Sequence, residues 1–93
     1  MSTLHGLKLA PGFFEDIVAG RKTFEIRISD RDFKMYDHLR LSEYDGQCYT
    51  GRSILVAVTY ILHGGEFGVP LGYVIMSIEY IGSRIIKKIP SDV

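Results

Sequence analysis

A period-two alternation of apolar and polar side chains returns along this chain, and it constrains the fold more than any other feature. In Leu4–Leu9, His5, Leu7 and Leu9 alternate with Gly6 and Lys8. In Thr23–Ile28, Phe24, Ile26 and Ile28 take one parity and Thr23, Glu25 and Arg27 the other. His38–Tyr44 alternates through Leu39 and Leu41, and Tyr73–Tyr80 reads as a further strand. Ser53–Leu62 is rich in β-branched residues, as suits a central, largely buried strand. Helical spacing appears early, over Gly12–Ala19, where Phe13/Ile17 and Phe14/Val18 are i,i+4 pairs. Pro11 suits its first turn and Gly20 its left-handed stop.

Five strands and one early helix predict a mainly β (α+β) domain: a barrel of five or six strands with the helix packed across one opening. Phe13, Phe14, Ile17, Val18, Phe24, Ile26, Leu39, Leu41, Val56, Val58, Val74 and Ile78 are its expected core. Asp45-Gly46 marks a hairpin turn, and the glycine-rich Gly64–Pro70 reads as a hairpin connection or a lid. Ser83–Val93 is open between a short strand, a short helix and a loose tail. Residues 1–93 form one domain, with 81–93 as a loosely attached end.

Eleven basic residues balance eleven acidic ones, so any binding of a polyanion must come from a local patch. The single cysteine, Cys48, excludes an internal disulfide and reads as a partly buried small apolar residue. His5, His38 and His63 lie on separate elements without metal-ligand spacing, so neither metal nor cofactor is expected. No apolar run approaches the roughly 20 residues that span a bilayer. Residues 1–6 lack the basic-then-apolar pattern of a secretion signal, which makes a cytoplasmic location the expectation.

The informative segment is Gly20–Arg27. It places Lys22 at the mouth of a strand and puts Thr23, Glu25 and Arg27 on one parity. Such a face meets water, a partner strand or a ligand, because a buried unpaired charge costs several kcal/mol. By parity alone, a solvated face with a Glu25–Arg27 surface pair is the plain reading.

The run Ile17-Val18-Ala19-Gly20-Arg21-Lys22-Thr23-Phe24-Glu25-Ile26-Arg27 resembles the signature G-x-K-x-x-E-x-R of ASCH (activating signal cointegrator homology) domains. Leu7–Pro11 resembles that family's opening strand. Asp30–Lys34, Leu41–Asp45, Thr50–Arg52 and Gly72–Met76 resemble a small phage and bacterial branch of unknown function. A glycine is usual in that family where this chain has Tyr36, ahead of Asp37. The resemblance implies a PUA-like barrel with a cleft for RNA or a nucleoside lined by Lys8, Lys22, Glu25 and Arg27. Arg31 lies near its rim, and Tyr36 is a candidate for base stacking. Lysine and arginine would hold phosphate, and a carboxylate can accept from an exocyclic amine.

The same resemblance raises a second possibility, an amidohydrolase acting on N4-acylated cytidine. Such enzymes use a lysine, a threonine and a glutamate, for which Lys22, Thr23 and Glu25 are the candidates. Glu25 stands where their threonine would be, Thr23 is not a like-for-like replacement, and Glu66 is one candidate for the later glutamate. A ribonuclease and a module that engages a host protein rank behind these. Lys87-Lys88 with Arg84 reads as a solvated basic tail or an extension of a nucleic-acid track.

Overall fold

The computed structural model describes residues 2–85. The elements are β1 (Leu4–Leu9), α1 (Pro11–Val18), β2 (Phe24–Ile28), β3 (His38–Tyr44), β4 (Tyr49–His63) and β5 (Tyr73–Ile85). They form one five-stranded sheet in the order β1-β3-β4-β5-β2. β1 runs parallel to β3, and the other neighbours are antiparallel. The sheet curls into a half-barrel around the core. Two register shifts in the β4–β5 ladder, at Leu55/Val56 and Val58/Tyr60, assist the curl. Before the second shift Ile54, Val56 and Val58 point inward; after it Ile61 takes over that side.

The half-barrel does not close by backbone pairing. β1 and β2, which come first and third in the chain, are the two edges of the sheet. Side chains span the space between them: Arg27 Nη2 on β2 donates to the Lys8 carbonyl on β1 at 2.7 Å.

The helix begins at Pro11 and stops at Val18, with Gly20 at φ +80° just beyond. It is two turns long, so it buries one i,i+3 pair, Phe14 and Ile17, and leaves Phe13 and Val18 exposed. The expected core is otherwise corrected only on β2, where Phe24 and Ile26 are exposed and Glu25 is 2% exposed. The hydrophobic parity of that strand faces out and its charged parity faces in. Leu39, Leu41, Val56, Val58, Val74 and Ile78 are buried as the alternation predicts, joined by Leu9, Phe33, Ile54 and Met76. Cys48 is exposed, in a tight turn where Asp45 accepts from the backbone N–H groups of Gln47 and Cys48. The Gly64–Gly72 segment is the β4–β5 hairpin connection, bonded internally through Gly65 to Val69 and Val69 to Glu66. Ser83–Ile85 continue β5, while Lys87-Lys88 lie outside the described residues.

Two buried carboxylates brace the ends of the core. Asp37 accepts from His5 Nε2 at 2.8 Å and from the N–H groups of Thr3 and Lys34. Burial pushes its pKa up, but these bonds outweigh burial and leave it below the ordinary value. Glu43 is gripped by Arg52 through Nε at 2.8 Å and Nη2 at 2.6 Å, and by the Thr50 hydroxyl at 2.6 Å. Arg52 also bonds Glu15 and lies 4.4 Å from the Phe14 ring centre, which ties the helix to the sheet. The Arg52 bonds, working against burial, hold Glu43 below its usual carboxylate range and raise the guanidinium further.

Ordinary carboxylate pKa values are 3.8 for Asp37 and 4.5 for Glu43. Both folded values are depressed, so the stabilisation is complete above those values and lost as pH falls through the lower, folded ones. Glu43→Gln should therefore be less stable near neutrality, by about 1–3 kcal/mol. It should also lose stability less steeply on acidification below about pH 5; urea midpoints measured across that range check both. Tyr36 sits at φ +72°, in the left-handed region that favours glycine. Tyr36→Gly should raise stability by up to about 1 kcal/mol. Gly64→Ala should lower it by about 1–3 kcal/mol, because the new Cβ would meet the Pro70 carbonyl oxygen at 2.0 Å.

Candidate functional site

The turn after α1 brings Lys22 to β2: the backbone N–H groups of Arg21 and Lys22 both donate to the Asp16 carbonyl. The Lys22 side chain then folds over the start of β2, where Nζ donates to the Phe24 carbonyl at 2.6 Å and to Glu25 Oε1 at 2.5 Å. Arg27, two residues beyond Glu25 and on the same parity, donates through Nε to Oε2 at 2.8 Å, and its Nη2 stands 2.8 Å from the same oxygen as an ion pair. Both oxygens of the buried carboxylate are thus held by cations. The Lys22 and Arg27 side chains are 13% and 23% exposed, so the triad opens to solvent on the cationic side.

A cleft of about 460 Å³ lies over this triad, lined by Lys8, Leu9, Ala10, Phe13, Lys22, Phe24, Glu25, Ile26 and Arg27. Phe13 and Phe24, both exposed, flank the ammonium, with ring centres 5.2 and 4.9 Å from Lys22 Nζ. Phe13, Phe24 and Ile26, which periodicity places in the core, instead form apolar walls of the cleft, whereas Val18 is exposed outside it. A second cleft, of about 570 Å³, continues along the same edge and shares Lys8, Ile26 and Arg27 with the first. Gly6, Arg31, Phe33, Tyr49 and Tyr73 are among its other lining residues.

Lys8, Lys22, Glu25 and Arg27 therefore meet at one concave surface, and Arg31 lines the adjoining one. The Lys8 contribution is divided. Its carbonyl accepts from Arg27, while its ammonium stands 4.3 Å from the Tyr44 ring centre. Thr23 is exposed and lines neither cleft, so no hydroxyl joins Lys22 and Glu25 at the triad. Tyr36 and Glu66 are exposed and line neither cleft. His5 is engaged with Asp37 inside the core. Tyr49 and Tyr73 escaped sequence reasoning; each stands at the first position of a long strand, a place with no pattern of its own.

A glycine-stopped helix, a lysine and an alternating strand are thus folded into a buried ion triad under aromatic walls. Among curated proteins, the chain is similar to an uncharacterized 12.9 kDa protein encoded in the GpA 3′ region of Escherichia phage P2. The two are 32% identical over 59 residues, covering 63% of this chain and 54% of the relative. The chain spans about half the length of that relative. The family model described as "Domain of unknown function (DUF3850)" matches residues 4–78, from β1 through most of β5 and across every residue of the triad. By that match the chain belongs to the DUF3850 family.

Proposed function

We propose that the cleft over the Lys22–Glu25–Arg27 triad binds the base of a nucleoside or nucleotide, with RNA as the natural source of that base. The observation that carries the reading is the pairing of an ion triad on the floor with exposed phenylalanines on the walls. A nucleobase has two apolar faces and a polar rim. Phe13, Phe24, Leu9, Ala10 and Ile26 suit its faces, and Lys22, Arg27 and Glu25 suit its rim. Glu25 can accept from an exocyclic amine through a remaining lone pair, while the two cations donate to ring nitrogens or carbonyls. The likeness of Gly20–Arg27 to the ASCH signature supports the same reading.

Binding is favoured over hydrolysis of an acylated cytidine. Hydrolysis needs a base within reach of a hydroxyl or a water. Thr23, the hydroxyl nearest Lys22 in sequence, lies outside the cleft.

Titration of the 15N-labelled protein with cytidine, uridine and their 5′-monophosphates should shift the amide signals of Phe13, Lys22, Phe24 and Arg27. Lys22→Met should weaken binding about tenfold, or ~1.4 kcal/mol. Glu25→Gln should weaken cytidine more than uridine, because only cytidine offers the exocyclic amine. Absence of shifts at these residues with every ligand would refute the reading. Acetate release from N4-acetylcytidine that disappears in Lys22→Met would replace it with the hydrolase.

A further inference from the structure

The two sheet edges that border the clefts carry unpaired backbone groups, and ladder parity tells which. Ile78 N–H donates to the Thr23 carbonyl and Ser29 N–H to that of Gly72, so on β2 the odd-numbered residues bond β5. The N–H and C=O of Phe24, Ile26 and Ile28 face the gap instead. On β1, His38 N–H donates to the Thr3 carbonyl, so odd-numbered residues bond β3 and Leu4, Gly6 and Lys8 face the gap.

Four of the six carbonyls that face the gap are already taken. Lys22 caps the Phe24 carbonyl, Arg27 caps that of Lys8, and Asp30 N–H bonds that of Ile28. Arg31 reaches the Gly6 carbonyl, at a long 3.5 Å. Among the described residues the carbonyls of Leu4 and Ile26 are the exceptions. What remains is mainly a row of donors: the N–H groups of Leu4, Gly6, Lys8, Phe24, Ile26 and Ile28, with the outer N–H groups of Arg27 and Arg31. An added peptide strand must donate as well as accept at each edge, so edges with most acceptors occupied receive it poorly. An acceptor-rich, anionic chain fits them.

Charge points the same way. The two clefts together present Lys8, Lys22, Arg27 and Arg31 against Glu25 and Asp30, a local excess of cations on a chain of zero formal net charge. Lys22 and Arg27 are bound to Glu25, whereas Lys8 Nζ makes no hydrogen bond or ion pair among the described residues. Arg31 is loosely held, with Nε 3.4 Å from Asp30 Oδ1. The least engaged cations, Lys8 and Arg31, both line the second cleft, with Tyr49, Tyr73 and Phe33, and Lys8 lines the first as well.

Building on the base-binding reading above, we infer that the ligand is a single-stranded oligonucleotide of two or more nucleotides. It runs along the gap between β1 and β2. One base occupies the cleft over the triad, and the adjoining phosphodiester sits at Lys8 and Arg31 in the second cleft. Phosphate recognition belongs to this pair and base recognition to the triad.

The test compares cytidine, the dinucleotides CpC and dCpdC, and a glutamate-rich peptide by calorimetry at two salt concentrations, alongside amide shifts. CpC or dCpdC should bind at least tenfold tighter than cytidine, and raising salt should erode that advantage. A preference between the two dinucleotides identifies RNA or DNA as the source. Arg31→Gln should abolish the dinucleotide advantage and leave cytidine affinity unchanged, while Arg31→Lys should restore part of it. Equal binding of cytidine and both dinucleotides overturns this inference and leaves the base-binding reading standing. So does an advantage that survives Arg31→Gln. Dinucleotide binding with shifts confined to Lys8 and Arg31, and none from cytidine, overturns the base reading and keeps the phosphodiester groove. Binding of the acidic peptide in preference to both dinucleotides, or of no ligand at all, overturns the oligonucleotide inference.

Discussion

Glu25 is a charge buried at the edge of a sheet, and the rest of the architecture is arranged around keeping it paired. A carboxylate taken out of water costs several kcal/mol unless its oxygens are bonded and its charge balanced. Lys22 and Arg27 do both. The same Arg27 then reaches across to the Lys8 carbonyl, so the pairing of the carboxylate and the approach of β2 to β1 are one event. Lys22 does the equivalent on its own side by capping the Phe24 carbonyl. The curl of the half-barrel and the floor of the cleft share one set of side chains.

Asp37 and Glu43 meet the same physical problem without creating a site. Asp37 is closed in by His5 and two backbone N–H groups, and Glu43 by Arg52 and Thr50. Their partners stitch elements together: the chain start to the entry of β3, and the helix to the β3–β4 pair. Among the described residues no buried side-chain nitrogen or oxygen lacks a partner. What distinguishes Glu25 is that its partners stand at the mouth of a cleft beside exposed aromatic rings. Pairing explains its burial. That pairing does not account for the exposed aromatic walls beside it.

An exposed sheet edge ordinarily invites another strand. Here Lys22 turns back onto the Phe24 carbonyl of β2, while Arg27 and Arg31 reach across to the Lys8 and Gly6 carbonyls of β1. This protects the edges and leaves a surface dominated by donors. Edge protection and a local excess of cations thereby come from the same residues, on a chain with no overall formal charge.

The strand segments, the early helix and its glycine stop were legible in sequence, because local periodicity and the left-handed preference of glycine act within a few residues. So was the concentration of hydrogen-bonding groups in Gly20–Arg27. Sequence by itself did not decide which face of β2 turns inward. Alternation gives two faces and no direction, and Phe24 and Ile26 point away from the core only because ion pairing allowed the opposite parity to be buried. Nor did it show that Arg27 bridges to β1, residues distant along the chain, or that Tyr49 and Tyr73 border the second cleft. Those facts belong to the curl of the sheet. It brings the first and third elements of the chain into proximity without pairing them, and long-range proximity leaves no local pattern in a sequence.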